Sequence, residues 1–139
     1  MGVESEKIIR DTVLRHYPSA QGIYLFGSHG TEAERPDSDV DIALLLPHDV
    51  ARSVGSLAVS DCRRALEEKL GQTVDLVNAR IVSTVLQFQI VMTGRLIYGA
   101  DTRELQVFEM LVMSFYQKLN EERREILEEF EKTGRAYTV

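Results

Sequence analysis

Hydrophobic positions along the chain switch between short continuous runs and a spacing of three to four residues, which predicts alternating strands and helices. The predicted elements, in order, are a helix over 4–16, a strand over 23–26, a loop over 27–38, a strand over 40–46, a helix over 54–70, a strand over 73–77, a short apolar helix ending at Gly94, a strand over 95–98 and a long helix over about 101–133. Such alternation is typical of a sheet layered with helices. We predict an α/β (α+β) fold: one small domain over 1–139, with a mixed sheet of about four strands, the 40–46 strand central and helices chiefly on one face.

Capping residues mark several of these boundaries. Gly71 follows the last apolar position of the 54–70 helix, where glycine commonly ends a helix. Ser83 can cap the short apolar helix. Asp101, with Glu104 three residues later, forms the pattern of a capping box at the start of the last helix.

Composition and charge restrict the function classes. The 139 residues are 44% hydrophobic, which is typical of a globular domain and excludes wholesale disorder. A formal net charge of -6 disfavours a direct nucleic-acid substrate. The longest apolar runs, such as 42–47, are too short to cross a bilayer. The lone cysteine, Cys62, lies on an apolar helix face, so we expect it in the core of a cytoplasmic protein.

Asp39 and Asp41 form the most informative pair of acids. In a strand, residues i and i+2 point to one face, so the two carboxylates lie side by side while Val40 faces the core. Two carboxylates at such a short separation repel each other unless a cation lies between them. Oxygen ligands suit Mg²⁺ or Mn²⁺, which commonly bind substrate phosphates as well.

Gly27 and Ser28 directly follow the first predicted strand. A glycine there lets backbone N–H groups approach an anion, and a serine adds a hydroxyl donor. A phosphate-binding turn beside a metal-binding acid pair is typical of enzymes that transfer phosphoryl or nucleotidyl groups. A P-loop is excluded, because Ser28 stands where that motif requires lysine. The competing interpretation is a turn followed by two surface acids.

Asp75 is an acid within the otherwise apolar strand 73–77. Acids are rarely buried in such strands without a partner. If the third strand lies beside the second, Asp75 can join Asp39 and Asp41 as a third metal ligand. The alternative is an acid that simply faces solvent from the strand.

The string Gly27-Ser28, ten residues, then Asp39-x-Asp41, between two apolar strands, resembles the DNA polymerase β-type nucleotidyltransferase superfamily. Within it, nearly the whole chain resembles the minimal nucleotidyltransferases, the MNT antitoxins encoded beside HEPN-domain ribonuclease toxins. The run 35–38, Arg-Pro-Asp-Ser, also matches the segment before their aspartate pair. At 29–32 the chain has His-Gly-Thr-Glu where the family often has Arg-x-Arg-Gly, so basic support for the triphosphate would come from Arg35 or His29.

The resemblance implies a Mg²⁺- or Mn²⁺-dependent protein adenylyltransferase that moves AMP from ATP to a tyrosine of a partner HEPN RNase toxin and thereby inactivates it. The implied site consists of Gly27, Ser28, Arg35 and Ser38 for nucleotide binding, and of Asp39, Asp41 and Asp75 for catalysis and metal binding. Asp75 would also orient or deprotonate the acceptor hydroxyl. Two alternatives remain: a non-catalytic antitoxin that neutralises the toxin by binding alone, and transfer to a small molecule, which generally needs a second lobe.

The last predicted helix is longer than so small a domain needs, since about 30 residues extend roughly 45 Å. Its apolar positions step by three and four from Leu105 to Leu119, and the stripe continues to Ile126 and Phe130. We expect the first half to pack on the sheet and the glutamate-rich second half to contact another protein.

Overall fold

Four strands form one mixed sheet in the computed structural model, which describes residues 2–27 and 39–133. The strands are β1 (Gly22–Phe26), β2 (Val40–Leu45), β3 (Val74–Asn78) and β4 (Arg95–Gly99). They lie in the order β3-β2-β1-β4. β1 is antiparallel to both β2 and β4, whereas β2 and β3 are parallel. The predicted mixed sheet of about four strands, with the aspartate-bearing strand inside it, is confirmed.

Five helices within residues 2–27 and 39–133 cover both faces of this sheet. They are α1 (Val3–His16), α2 (His48–Val54), α3 (Asp61–Leu70), α4 (Thr84–Thr93) and α5 (Thr102–Thr133). One apolar cluster joins alternate strand residues to α1, α2 and α3, and a second joins the other strand face to α4 and α5. The expectation that helices lie chiefly on one face is wrong. Every residue of β1 is buried, and a strand that is apolar on both faces needs a helix layer on each.

The helix expected over 54–70 is in fact two helices. Gly55 ends α2 with φ +62, a backbone conformation that favours glycine. Ser60 then caps α3, because its hydroxyl oxygen accepts the N–H of Arg63. The Asn78 side chain, buried at the end of β3, donates to the carbonyl oxygens of Ala51 and Gly55 and so holds the end of α2. Apolar periodicity runs on across the break because Leu57, between the helices, is also buried.

The predicted caps are present at three other helix ends. Gly71 follows α3 with φ +66, Ser83 accepts the N–H of Leu86, and the Asp101 carboxylate accepts the N–H of Glu104. The last cap starts α5, which is 32 residues long and whose early residues Leu105, Phe108 and Val112 are buried. In the part of the chain that the structure describes, no helix has the length and apolar character needed to cross a bilayer.

Candidate active site at the start of β2 and β3

Strand pairing places two of the predicted acids next to each other. Asp41 of β2 pairs directly with Asp75 of β3, and Phe26 pairs with Asp41 from the other side. Since directly paired residues point to the same face of a sheet, both carboxylates lie on the face that α4 and α5 cover farther along. The adjacency that the Asp75 hypothesis requires is therefore present.

The acids lie where the sheet meets solvent. Asp41 is half-buried, while Asp75 is the exposed member of a strand whose other four residues are buried. Asp39 is exposed and lies immediately before β2, two residues ahead of Asp41. Carboxylates at this edge of the sheet are accessible to a substrate phosphate or a cation.

The backbone of Gly27 lies close to the Asp41 carboxylate. It follows β1 with φ +76, and a Cβ atom placed on it would collide with Oδ2 of Asp41. Any side chain at this position would therefore be strained and would also displace the carboxylate. The backbone of this turn therefore lies close to the Asp41 carboxylate, and the phosphate-binding role of Gly27 stays a prediction.

The donors present suit a magnesium ion that shares its shell with substrate. Across residues 2–27 and 39–133, no group of three or more His, Cys, Asp or Glu side chains is gathered closely enough to hold a metal ion. The register instead provides two neighbouring carboxylates, on Asp41 and Asp75, with Asp39 at the entrance of β2. Mg²⁺ is usually bound through one or two carboxylates together with substrate phosphates, so this all-oxygen set fits it.

The other predicted nucleotide-binding residues, Ser28, Arg35 and Ser38, lie outside the described residues, as does His29. Their assignments stay predictions. Cys62 is described and is buried, as expected, in the cluster beneath α3. Burial raises the pKa of its thiol to about 11, so at neutral pH it is an unreactive core group.

Arg80, just after β3, is a buried polar centre that sequence analysis did not single out. Its Nε donates to the carbonyl oxygen of Leu46, its Nη2 donates to Gln21 Oε1 at 2.6 Å, and the same nitrogen lies 3.5 Å from Glu104 Oε2. Burial lowers the pKa of the guanidinium, and Glu104 opposes that effect. An arginine directly after an apolar strand was the available signal, but its partners, which include His48 at 3.1 Å from Nη1, are distant in the sequence.

The contacts of Arg80 lie at the opposite end of β2 and β3 from the acids. A cavity of about 150 Å³ opens there, lined by His48, Arg80, Gln87 and α5 residues that include Phe108 and Phe115. Its walls are mostly apolar, and neither Asp41 nor Asp75 borders it. Arg80 therefore ties strand ends to α5 and does not belong to the acid pair.

A second link between α5 and the sheet lies on the same face as the acids. The Tyr24 hydroxyl donates to Glu109 Oε1 at 2.8 Å. Burial raises the pKa of Tyr24 well above its usual range, and the hydrogen bond to Glu109 adds to the rise. The phenol thus stays protonated and keeps α5 in place over β1.

Residues 6–103 match a family model described as "Polymerase beta, Nucleotidyltransferase". A protein adenylyltransferase named MntA, from Shewanella oneidensis, is 34% identical over 123 residues, which are 88% of this chain and 82% of that protein.

Solved structures give the same relationship. A chain from a crystal structure of a toxin-antitoxin complex with AMP-PNP superimposes with a TM-score of 0.72 at 32% identity, covering 91% of this chain and 98% of that one. A chain from the structure of the tri-AMPylated Shewanella oneidensis HEPN toxin in complex with its MNT antitoxin gives a TM-score of 0.70 at 31% identity, covering 94% and 99%. The similarity extends over nearly the full length of both chains.

Proposed function

The chain belongs to the polymerase beta nucleotidyltransferase family, and we propose that it is a Mg²⁺-dependent protein adenylyltransferase that acts as the antitoxin of a HEPN RNase toxin. In this proposal it transfers AMP from ATP to a tyrosine of the toxin. The observation that carries the proposal is the register of Asp41 with Asp75 beside the Gly27 turn, in a chain 34% identical to a named protein adenylyltransferase.

Each site residue has a defined task in this reaction. Gly27 and Ser28 bind the triphosphate, with Arg35 and Ser38 as further nucleotide contacts. Asp39 and Asp41 hold Mg²⁺, with Mn²⁺ as a substitute, and Asp75 is the third carboxylate. When bound, the cation supplies neutralisation of phosphate charge and orientation of the α-phosphate.

Asp75 lies on the solvent side of the pair, which suits a group that meets the incoming acceptor. It orients the tyrosine hydroxyl and accepts its proton as the oxygen attacks the α-phosphorus. A phosphodiester bond forms between tyrosine and AMP, and the bond between the α- and β-phosphates breaks. Pyrophosphate leaves opposite the nucleophile.

The proposal includes partners and location. The partner is a HEPN-domain toxin, ATP is the nucleotide substrate, and neither a membrane nor a nucleic acid is a direct partner. A cytoplasmic location is part of the proposal, and the use of ATP and the buried Cys62 support it.

The test is transfer of label from α-labelled ATP to a purified HEPN partner by the Asp39→Asn, Asp41→Asn double variant. We expect transfer to fall to background while circular dichroism shows an intact fold, because both acids lie at the solvent edge. The matched control, Asp49→Asn on α2, removes an exposed acid far from the site and should transfer normally. Undiminished labelling by the double variant would contradict the assignment.

A further inference from the structure

β3 is an edge strand, and Asp75 lies near its beginning. One side of the strand is held by pairing with β2, while the other side faces away from the sheet. Unpaired edges fray, and a slip of one residue would turn every side chain of the strand to the opposite face. The position of Asp75 beside Asp41 therefore depends on what holds the outer side of β3.

Two side chains of α3 bind that outer side at the residue before Asp75. The Val74 N–H donates to Glu67 Oε2 at 2.9 Å, and Arg63 Nε donates to the Val74 carbonyl oxygen at 2.9 Å. Arg63 and Glu67 also pair with each other, with Arg63 Nη2 at 3.2 Å from Glu67 Oε2. Both hydrogen-bonding groups of the Val74 main chain are thus satisfied by one ion pair.

The ion pair is attached to a firmly held helix. Ser60 caps the N–H of Arg63, and Cys62 and Leu66 anchor the other face of α3 in the core. The side chains of Arg63 and Glu67 are only 29% and 27% exposed, so water competes weakly for their hydrogen bonds. Gly71 ends the helix three residues before Val74 and makes the connection to β3 short.

We propose that Arg63 and Glu67 are positioning residues that hold β3 in the register in which Asp75 stands beside Asp41. The proposal rests on the proposed function in one respect, the role of Asp75 as a metal-binding carboxylate. Neither side chain touches substrate; each acts on the Val74 main chain. Residues that orient a metal ligand from outside commonly change metal affinity or activity by 10- to 100-fold when removed.

The test compares Glu67→Ala with Glu67→Gln, which keeps an oxygen to accept the Val74 N–H, and with Arg64→Ala. Arg64 is the matched control, because it pairs with Asp61 on the exposed side of the same helix. Binding of Mn²⁺ in the presence of AMP-PNP, followed by electron paramagnetic resonance, needs no partner protein. Hydrogen exchange of the β3 amides measures how often the strand opens.

We expect Glu67→Ala to weaken Mn²⁺ binding about tenfold and to speed hydrogen exchange of the amides at 74–78. In the transfer reaction, kcat should fall by a larger factor than the factor by which the KM for ATP changes. Glu67→Gln should recover most of both properties, and Arg64→Ala should resemble the unaltered chain. Mn²⁺ affinity and exchange in Glu67→Ala equal to those of Arg64→Ala would overturn the proposal. If Glu67→Ala does not fold, Arg63→Met, which keeps an unbranched apolar side chain but has no N–H donor, gives the same comparison at the Val74 carbonyl.

Asp75→Asn separates this proposal from the proposed function. Full transfer activity and Mn²⁺ affinity in Asp75→Asn would refute the role of Asp75, and with it the functional part of the positioning proposal. Loss of both in Asp75→Asn, together with unchanged behaviour in Glu67→Ala, would refute the positioning role alone.

Discussion

Gly27 is under two constraints at the scale of the single residue. Its φ of +76 disfavours any L side chain, and a Cβ atom would collide with the Asp41 carboxylate. Gly71 has a similar φ of +66, but a Cβ atom there would meet open space. The two glycines therefore separate the cost of backbone strain from the cost of displacing an acid.

We expect Gly27→Ala and Gly71→Ala each to lower the free energy of unfolding by about 1–2 kcal/mol, the cost of a left-handed backbone. Only Gly27→Ala should also lower label transfer from ATP, by about 100-fold, because small misplacements of catalytic groups are that costly. Urea unfolding and transfer assays measure the two effects. Equal transfer rates in the two variants would show that the Gly27 turn does not position Asp41.

α5 is divided into two parts at the scale of the element. Leu105, Phe108 and Val112 are buried against the sheet, whereas Ile126 and Phe130 are 46% and 43% exposed. Counted around the helix at 3.6 residues per turn, the later pair continues the face that packs on the sheet earlier. The apolar stripe of α5 therefore extends beyond the part of the domain that covers its first residues.

We predict that deletion of 125–139 weakens capture of the HEPN partner while leaving binding of AMP-PNP unchanged. Among the residues that the structure describes, the deletion removes none that is buried in either core cluster, so the fold should remain. Isothermal titration measures both affinities. The double variant Ile126→Ser, Phe130→Ser should reproduce the loss, and Glu125→Gln should not. Unaltered capture by the shortened chain would assign the partner surface elsewhere.

At the scale of the whole molecule, catalysis and simple binding differ in stoichiometry. A catalyst at one-tenth of the toxin concentration, with ATP and Mg²⁺, should silence all of the toxin, and the toxin should stay silent after the chain is removed. The reason is that a phosphodiester bond to tyrosine does not dissociate. Mass spectrometry of the toxin should show added AMP, and removal of the metal with EDTA before mixing should prevent it.

A binder would instead need one chain per toxin site, would ignore ATP and would release active toxin on separation. Absence of added nucleotide mass on any tyrosine would contradict the enzymatic proposal. Labelling of a small molecule in place of the toxin would support the alternative of transfer to a small molecule.

The sequence by itself determined most of the helices and strands and identified the acids that are candidates for the site. Strand and helix spacing, the caps at Ser83 and Asp101, and the turn at Gly71 are local signals, because their partners lie within a few residues. The spacing of Asp39 and Asp41 is also a local signal, because the two residues are separated only by Val40. The 54–70 helix was mispredicted because Asn78, whose amide holds the end of α2, is more than twenty residues away.

Only the tertiary structure decided which distant groups meet. The adjacency of Asp41 and Asp75 depends on β3 pairing in parallel with β2, and the contacts of Glu67 with Val74 depend on how α3 returns along that edge. The contacts of Arg80 with Gln21 and Glu104 join residues that are distant from it in the sequence. Pairing register and burial are properties of the folded chain. Local sequence patterns could therefore identify the acids as candidates but could not establish that they are neighbours.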